Sequence, residues 1–153
     1  MDENVKAAVQ CAARSLARTE QCRASLERKL LQKEFERDAV QGALDYLEEK
    51  HYLDDARYAS SWVRTHCAVR EYGRLRLLRE LVMRGVKKNV AENAIEDYFS
   101  TQSEEELCAR AYNRFLNQKK DAQKIMKSLA DRGFSYNMIQ SIFKEEGERY
   151  ATE

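Results

Sequence analysis

The residues of this chain that could do acid–base chemistry are an adjacent acid pair, Asp54 and Asp55, and two histidines, His51 and His66. Paired carboxylates can act as general acid and general base, but they need a nucleophile or a metal to act on a substrate. The sequence contains no glycine-rich phosphate loop, no His-Glu-x-x-His and no Gly-x-Ser-x-Gly motif. We therefore predict that the protein is not an enzyme and needs no cofactor.

The acid pair also has a structural interpretation, within the stretch KHYLDDARYASSWV. Asp54 can cap a helix that begins at Asp55, and Leu53 can pack on Tyr58 as a hydrophobic staple. A carboxylate in the first turn is also favoured by the helix dipole. We predict that the pair marks a joint between two helical segments.

The cysteines give no sign of a metal site. Zinc ligands usually come in close pairs, and the sequence has no Cys-x-x-Cys. We expect reduced thiols, mostly small and buried. The four cysteines are Cys11, Cys22, Cys67 and Cys108.

The composition predicts an all-α protein. The 153 residues include no proline and five glycines, with 43% hydrophobic and 35% charged residues. Few residues are therefore available to break helices. No stretch approaches the roughly 20 apolar residues of a membrane span, and the N-terminus has no apolar signal block. We expect a cytoplasmic protein with no membrane contact.

The apolar pattern repeats three times along the chain. Six apolar positions recur 51 residues later and again after 48 more, as in Leu26, Leu77 and Ile125. Within each unit they follow helical spacing, so we predict three helices per unit. The predicted helices are 4–18, 22–33, 36–49, 55–69, 73–84, 87–100, 103–117, 121–132 and 135–148. The predicted fold is all-α, with tandem three-helix repeats at 1–53, 54–102 and 103–153 stacked into an elongated, curved, right-handed or solenoid-like array. No long exposed apolar stripe demands a dimer, so we expect a monomer.

The ends of the middle helices carry their own signals. Gly85 and Gly133 follow the second and third middle helices, where a left-handed residue commonly ends a helix. Glu34 takes that place in the first repeat, at a cost of about 1 kcal/mol if it adopts the same conformation. At the starts, Asp121 is a better cap than the aligned Cys22.

Basic and acidic residues occupy different parts of the repeat. Each middle-helix region is basic, and Glu92–Glu106 holds six acidic residues and no basic one. The recurrent cations Lys33, Arg84 and Arg132 are explained by the helix dipole. The dipole does not explain the cations inside the middle helices, which could face a phosphate backbone or an acidic protein. A simple solvated face is the alternative. These candidate contact residues are Arg28, Arg79 and Lys127, supported by Arg74, Arg76 and Lys124.

Three aromatic residues, Tyr58, Trp62 and Tyr72, could stack on the bases of a single strand. Tyr58 and Trp62, however, are four residues apart on the predicted helix that also buries Ala59 and Val63. Large aromatic side chains on such a face usually anchor a core. We predict a partly buried packing role for them.

The sequence resembles the RecX family of bacterial recombinase regulators over nearly its whole length. The resemblance is strongest in RTEQCRASLERKLLQKEF, LDYLEEKHYLDDARYASSWV and REYGRLRLLRELVMRGV, that is, from Arg18 to Val86. It implies a non-catalytic protein that binds the groove of the RecA filament on DNA and mainly inhibits ATPase, strand-exchange and co-protease activities. Such a protein acts in DNA repair, homologous recombination and the SOS response, and can contact single- or double-stranded DNA weakly. The six candidate cations would then contact RecA or DNA.

The chain departs from the family pattern at its joints. His51 replaces the usual glycine before Tyr52, and Cys22 stands where a serine cap is usual. Two other functions stay open from the residues alone. One is a stand-alone DNA-binding helical module, against which the near-neutral pI of 7.6 argues. The other is a helical-repeat scaffold for an unrelated partner.

Overall fold

The computed structural model describes the backbone of residues 1–152 and the side chains of residues 1–148. That part of the chain forms nine α-helices and no strand, which confirms the all-α prediction. Every predicted helix boundary lies within one residue of the observed one, except the end of the last helix. The helices are α1 (Glu3–Arg18), α2 (Arg23–Gln32), α3 (Arg37–Glu49), α4 (Asp55–Arg70), α5 (Arg74–Met83), α6 (Lys88–Thr101), α7 (Glu104–Asn117), α8 (Ala122–Asp131) and α9 (Tyr136–Thr152).

The helices follow the repeating order expected from the apolar pattern. The middle helices α2, α5 and α8 each have ten residues, and longer helices precede and follow them. None of the helices among the described residues is long and apolar enough to cross a membrane.

The chain divides into two compact units. Unit 1 comprises residues 1–61 and 81–91, and unit 2 comprises residues 62–80 and 92–153. This division cuts across the three sequence repeats, whose boundaries at 1–53, 54–102 and 103–153 stay a prediction.

The core of unit 1 lies between α1, α2 and α3. Small residues of α1 let the helices approach closely, while leucines of α2 and α3 fill the space between them. Leu53, at the end of the joint, closes this core with only 2% of its surface exposed. The buried cluster comprises Ala8, Ala12, Leu26, Leu30, Val40, Ala43, Leu44, Leu47 and Leu53.

In unit 2, α7, α8 and α9 contact one another around Phe115, Ile125 and Leu129, all of which are buried. The aromatic residues of the same unit pack as predicted. Trp62 is 8% exposed and stacks on His66, with 3.8 Å between the ring centroids.

The middle helices end in left-handed residues, as predicted. Gly85 has φ 97°, Gly133 has φ 96° and Glu34 has φ 70°. A Cβ atom at Gly85 would lie 2.3 Å from the Cβ atom of Ala24, and one at Gly133 would lie 2.3 Å from the backbone nitrogen of Arg76. Both glycines are therefore required by close packing as well as by φ. His51 also adopts a left-handed conformation, with φ 62°.

The joint between α3 and α4 is capped as predicted. The backbone N–H of Arg57 donates to Oδ1 of Asp54 over 3.1 Å, which satisfies one free donor at the start of α4. Helix α2, in contrast, receives no hydrogen bond from the side chain of its own N-cap residue, Cys22. Its cap comes from α4, because the backbone N–H of Arg23 donates to Oδ1 of Asp55 over 2.8 Å.

The arrangement around Arg23 recurs around Arg74, 51 residues later. The backbone N–H of Arg74 donates to Oε2 of Glu104, the first residue of α7, over 2.7 Å. The side chain of Arg23 pairs with Asp45 of α3 at 2.9 Å, and that of Arg74 pairs with Glu96 of α6 at 2.8 Å. In each case the first turn of a later helix caps an earlier middle helix.

The third middle helix caps itself. Oδ1 of Asp121 accepts from the backbone N–H of Lys124 over 2.9 Å, which confirms Asp121 as a cap. The position equivalent to Arg74 is Ala122, and the position equivalent to Glu96 is Lys144. The arginine and its partner Glu96 are thus both replaced, and the helix start is satisfied locally.

Candidate partner-binding surface

Four of the six candidate cations have exposed side chains on the middle helices. Within the described side chains, residues 1–148, none of the four forms an ion pair or a side-chain hydrogen bond. These exposed cations are Arg28 on α2, Arg79 on α5, and Lys124 and Lys127 on α8. A partner could therefore bind these cations without breaking an ion pair or a side-chain hydrogen bond within the described part of the protein.

Arg74 and Arg76 differ, because their side chains are engaged inside unit 2. The guanidinium of Arg74 pairs with Glu96 and, at 3.3 Å, with Glu104, and it lies 4.8 Å from the ring centroid of Phe99. Arg76 donates to the carbonyl oxygen of Asp131 over 2.9 Å. A role for these two in partner binding stays a prediction, while the structure gives both side chains contacts within unit 2.

Arg76 has two further contacts. Its guanidinium lies 4.2 Å from the ring centroid of Tyr72, and its Nε is 3.4 Å from Oε1 of Glu80. The Nε–Glu80 contact has the distance of an ion pair but not the geometry of a hydrogen bond. We therefore describe the contact between Arg76 and Glu80 as an electrostatic interaction and not as a hydrogen bond.

Exposed apolar residues accompany the exposed cations. Leu31 is 37% exposed three residues after Arg28, and Leu75 is 57% exposed four residues before Arg79. These spacings place each pair on one face of its helix.

The third middle helix shows the same combination. Lys127 borders an apolar cavity of about 280 Å³ together with Met126, Ala130 and Ile139. Tyr136, at the edge of this cavity, is 72% exposed.

Comparison with known proteins identifies the family. Residues 54–95 match the model for the second three-helix domain of RecX. The chain is 34% identical to the regulatory protein RecX of Treponema pallidum over 137 residues, which cover 90% of this chain and 84% of the relative. The chain belongs to the RecX family.

Other RecX proteins agree with this assignment. The regulatory protein RecX of Vibrio vulnificus is 29% identical, with 86% of this chain and 87% of the relative covered. The crystal structure of RecX from Lactobacillus salivarius superimposes with a TM-score of 0.83 at 23% identity, covering 95% of this chain and 97% of that one. The latter likeness shows a shared fold.

Two cysteines of this RecX-family chain, Cys67 and Cys108, are unsuited to nucleophilic chemistry. Burial raises the pKa of Cys67 to about 12, and burial followed by the charge of Glu104 raises that of Cys108 to about 12. Both thiols are therefore protonated at neutral pH, and thiols react as thiolates. Among the described residues, no group of three or more His, Cys, Asp or Glu side chains could hold a metal ion.

One recurrent cation has a contact that the sequence does not indicate. Arg132 lies at the end of α8, where the helix dipole favours positive charge, and its guanidinium also donates to the carbonyl oxygen of Arg70 on α4. It also lies 5.3 Å from the ring centroid of Phe115. Local sequence patterns do not indicate the contact with Arg70, because the two residues are 62 positions apart.

Proposed function

We propose that this protein is a non-catalytic modulator of the RecA recombinase. In this proposal it works in the cytoplasm as a monomer, binds RecA filaments on DNA and inhibits their ATPase, strand-exchange and co-protease activities. The observation that carries the proposal is membership of the RecX family of regulatory proteins, supported by 34% identity over 90% of the chain.

The exposed cations supply the partner-binding groups in this proposal. Arg28, Arg79, Lys124 and Lys127 have no internal partner among the described side chains, so their charges are free for acidic groups of a filament. Long-range attraction would raise the rate of association with a negatively charged surface.

The apolar neighbours of these cations favour a protein partner over bare DNA at this surface. Leu31 and Leu75 would gain from burial against apolar protein side chains, whereas a phosphate backbone offers none. Helices that each expose a cation beside an apolar side chain therefore suit a RecA subunit of the filament better than a naked duplex.

The test is the single-stranded-DNA-dependent ATPase rate of the cognate RecA, measured at near-physiological salt while this protein is titrated in. We expect inhibition by the wild type at substoichiometric amounts. The variant R28E/R79E/K127E should require at least about 10-fold more protein for half inhibition, because opposite charges at the binding surface become like charges.

The control variant is R37E/R64E/K144E. It reverses the same number of charges at residues that are exposed and that have no internal partner among the described side chains. It should inhibit within about 2-fold of the wild type. An unchanged ATPase rate with the wild-type protein would contradict the proposed function, and equal losses in both triple variants would contradict the assignment of the surface.

A further inference from the structure

Unit 2 contains a cleft of about 320 Å³, and half of the residues that line it are basic. Four cations line it, and one acidic side chain, that of the exposed Asp131, lies among them. We call this site the cationic cleft; its cations are Arg70, Arg76, Lys120 and Arg132. They come from the end of α4, from α5, and from the residues that flank α8.

Aromatic rings hold several of these cations in place. Nζ of Lys120 lies 4.7 Å and the guanidinium of Arg132 lies 5.3 Å from the ring centroid of Phe115, which is buried. A cation over a ring face is attracted by the ring quadrupole and loses freedom of movement. The charged groups are therefore partly preorganised before any ligand arrives.

Of the nearby carboxylates, one pairs with an arginine outside the cleft and one lies beside a cleft cation. Glu71 accepts from Nε of Arg114 over 2.9 Å, and Glu80 lies beside Arg76. Among the described side chains, Arg70, Lys120 and Arg132 have no carboxylate within ion-pair distance. Three of the four cations of the cationic cleft thus have no direct carboxylate partner.

The electrostatic cost of this arrangement is visible at Arg132. Burial, followed by the neighbouring charge of Arg114, lowers its pKa. Positive charges that burial and like-charge repulsion disfavour become favourable when an anion enters.

We propose that the cationic cleft binds a phosphate group of a single-stranded DNA backbone. A phosphodiester offers non-bridging oxygens on a compact group, and guanidinium groups bind them with two parallel hydrogen bonds. The volume is at the lower end of that of ligand pockets and fits a nucleotide-sized group. A protein carboxylate also carries two charged oxygens, so it is the competing ligand that the experiment has to distinguish.

The proposal rests on the proposed function only in that the protein meets DNA at the RecA filament, and it is tested without RecA. The probe is a fluorescein-labelled oligo-dT of about 20 nucleotides, which spans one or two single-strand sites. Binding is followed by fluorescence anisotropy over a range of salt concentrations. The cleft variant is R70Q/K120Q, because the side chains of Arg70 and Lys120 make no hydrogen bond among the described residues.

We expect R70Q/K120Q to bind the oligonucleotide about 5- to 10-fold more weakly at low salt, with a slope of log K against log salt reduced by about 0.7 for the one lost phosphate. The control R64Q/K144Q removes two exposed positive charges outside the cleft, and R70K/K120R keeps the cleft charges. Both should bind as the wild type does. Thermal unfolding by circular dichroism checks that all variants are folded.

Three outcomes would overturn the proposal. Equal weakening by R70Q/K120Q and R64Q/K144Q would mean general attraction without a site. Unchanged oligonucleotide binding by R70Q/K120Q, with weaker inhibition of RecA, would assign the cleft to a protein carboxylate. A free anion would be the ligand of the cleft under two conditions. R70Q/K120Q would bind the oligonucleotide as the wild type does, and sodium pyrophosphate would shift the amide NMR signal of Gly133 in the wild type but not in R70Q/K120Q. Loss of oligonucleotide binding with normal RecA inhibition supports the cleft and leaves the proposed function intact.

Discussion

The carboxylate of Asp55 lies at the start of two helices. It belongs to the first turn of α4, and it accepts the backbone N–H of Arg23, the first residue of α2. The role at α4 follows from the sequence, because capping signals are local. The role at α2 does not, because it joins residues that are 32 positions apart. Cys22 is a weak cap for α2, and Asp55 compensates for it. Local sequence patterns cannot predict this compensation, because Asp55 is far from Cys22 in the sequence.

Replacing Asp55 tests this second role. D55A should lower the free energy of unfolding by about 1–2 kcal/mol, because the N–H of Arg23 would lose its acceptor in a half-buried site. D55N keeps an oxygen at the same place and should cost less than about 0.5 kcal/mol. Urea unfolding followed by circular dichroism measures both. Equal damage by the two variants would mean that the charge of Asp55, and not its hydrogen bond, stabilises α2.

At the scale of the element, α5 carries arginines of two kinds that the sequence does not distinguish. Arg74 and Arg79 are both cations of a basic middle helix, yet Arg74 pairs with two acids and Arg79 is exposed. The difference arises from Glu104, which lies 30 residues after Arg74 and meets it only through packing. Helical periodicity predicts which face a residue occupies, but not which side chain lies opposite.

Replacing each arginine with alanine should distinguish Arg74, which stabilises the fold, from the exposed Arg79. R74A should lower the free energy of unfolding by about 1–2 kcal/mol, a value reduced for its partial exposure, because Glu104 would remain buried without its cation. R79A should change it by less than about 0.5 kcal/mol. Both variants remove one charge from the same helix, so each is a control for the other in urea unfolding. Similar losses of stability would contradict the structural assignment of Arg74.

At the scale of the whole molecule, the sequence predicts helix order and helix boundaries well. Apolar spacing, glycines such as Gly85 and caps such as Asp54 act over a few residues, and the observed helices agree with them. The division of the chain into compact units was not predicted. It assigns residues 81–91 to unit 1 and the preceding residues 62–80 to unit 2, so it separates parts of one predicted repeat. Non-local packing decides that division, and the apolar pattern contains no information about it.

The stability of the molecule should depend on pH through Asp55 and Glu104, the two carboxylates that each cap a helix other than their own. Burial, more than any other cause, raises the pKa of Asp55 and of Glu104 above their ordinary values of 3.8 and 4.5. The folded protein therefore binds protons more tightly at these sites than the unfolded chain does. Linkage then requires that their contribution to the free energy of unfolding falls as pH rises from the ordinary values through the raised ones.

The variant D55N/E104Q should isolate this contribution, because Asn and Gln keep an accepting oxygen but do not titrate near neutral pH. Other carboxylates also titrate, so the quantity to measure is the difference in unfolding free energy between variant and wild type. Urea unfolding at a series of pH values from about 4 to 7 gives that difference. We expect it to change in favour of the variant as pH rises, and to level off once both wild-type carboxyls are ionised. A difference that stays constant, or moves in favour of the wild type with rising pH, would mean that Arg23 and Arg74 outweigh the cost of burying these charges.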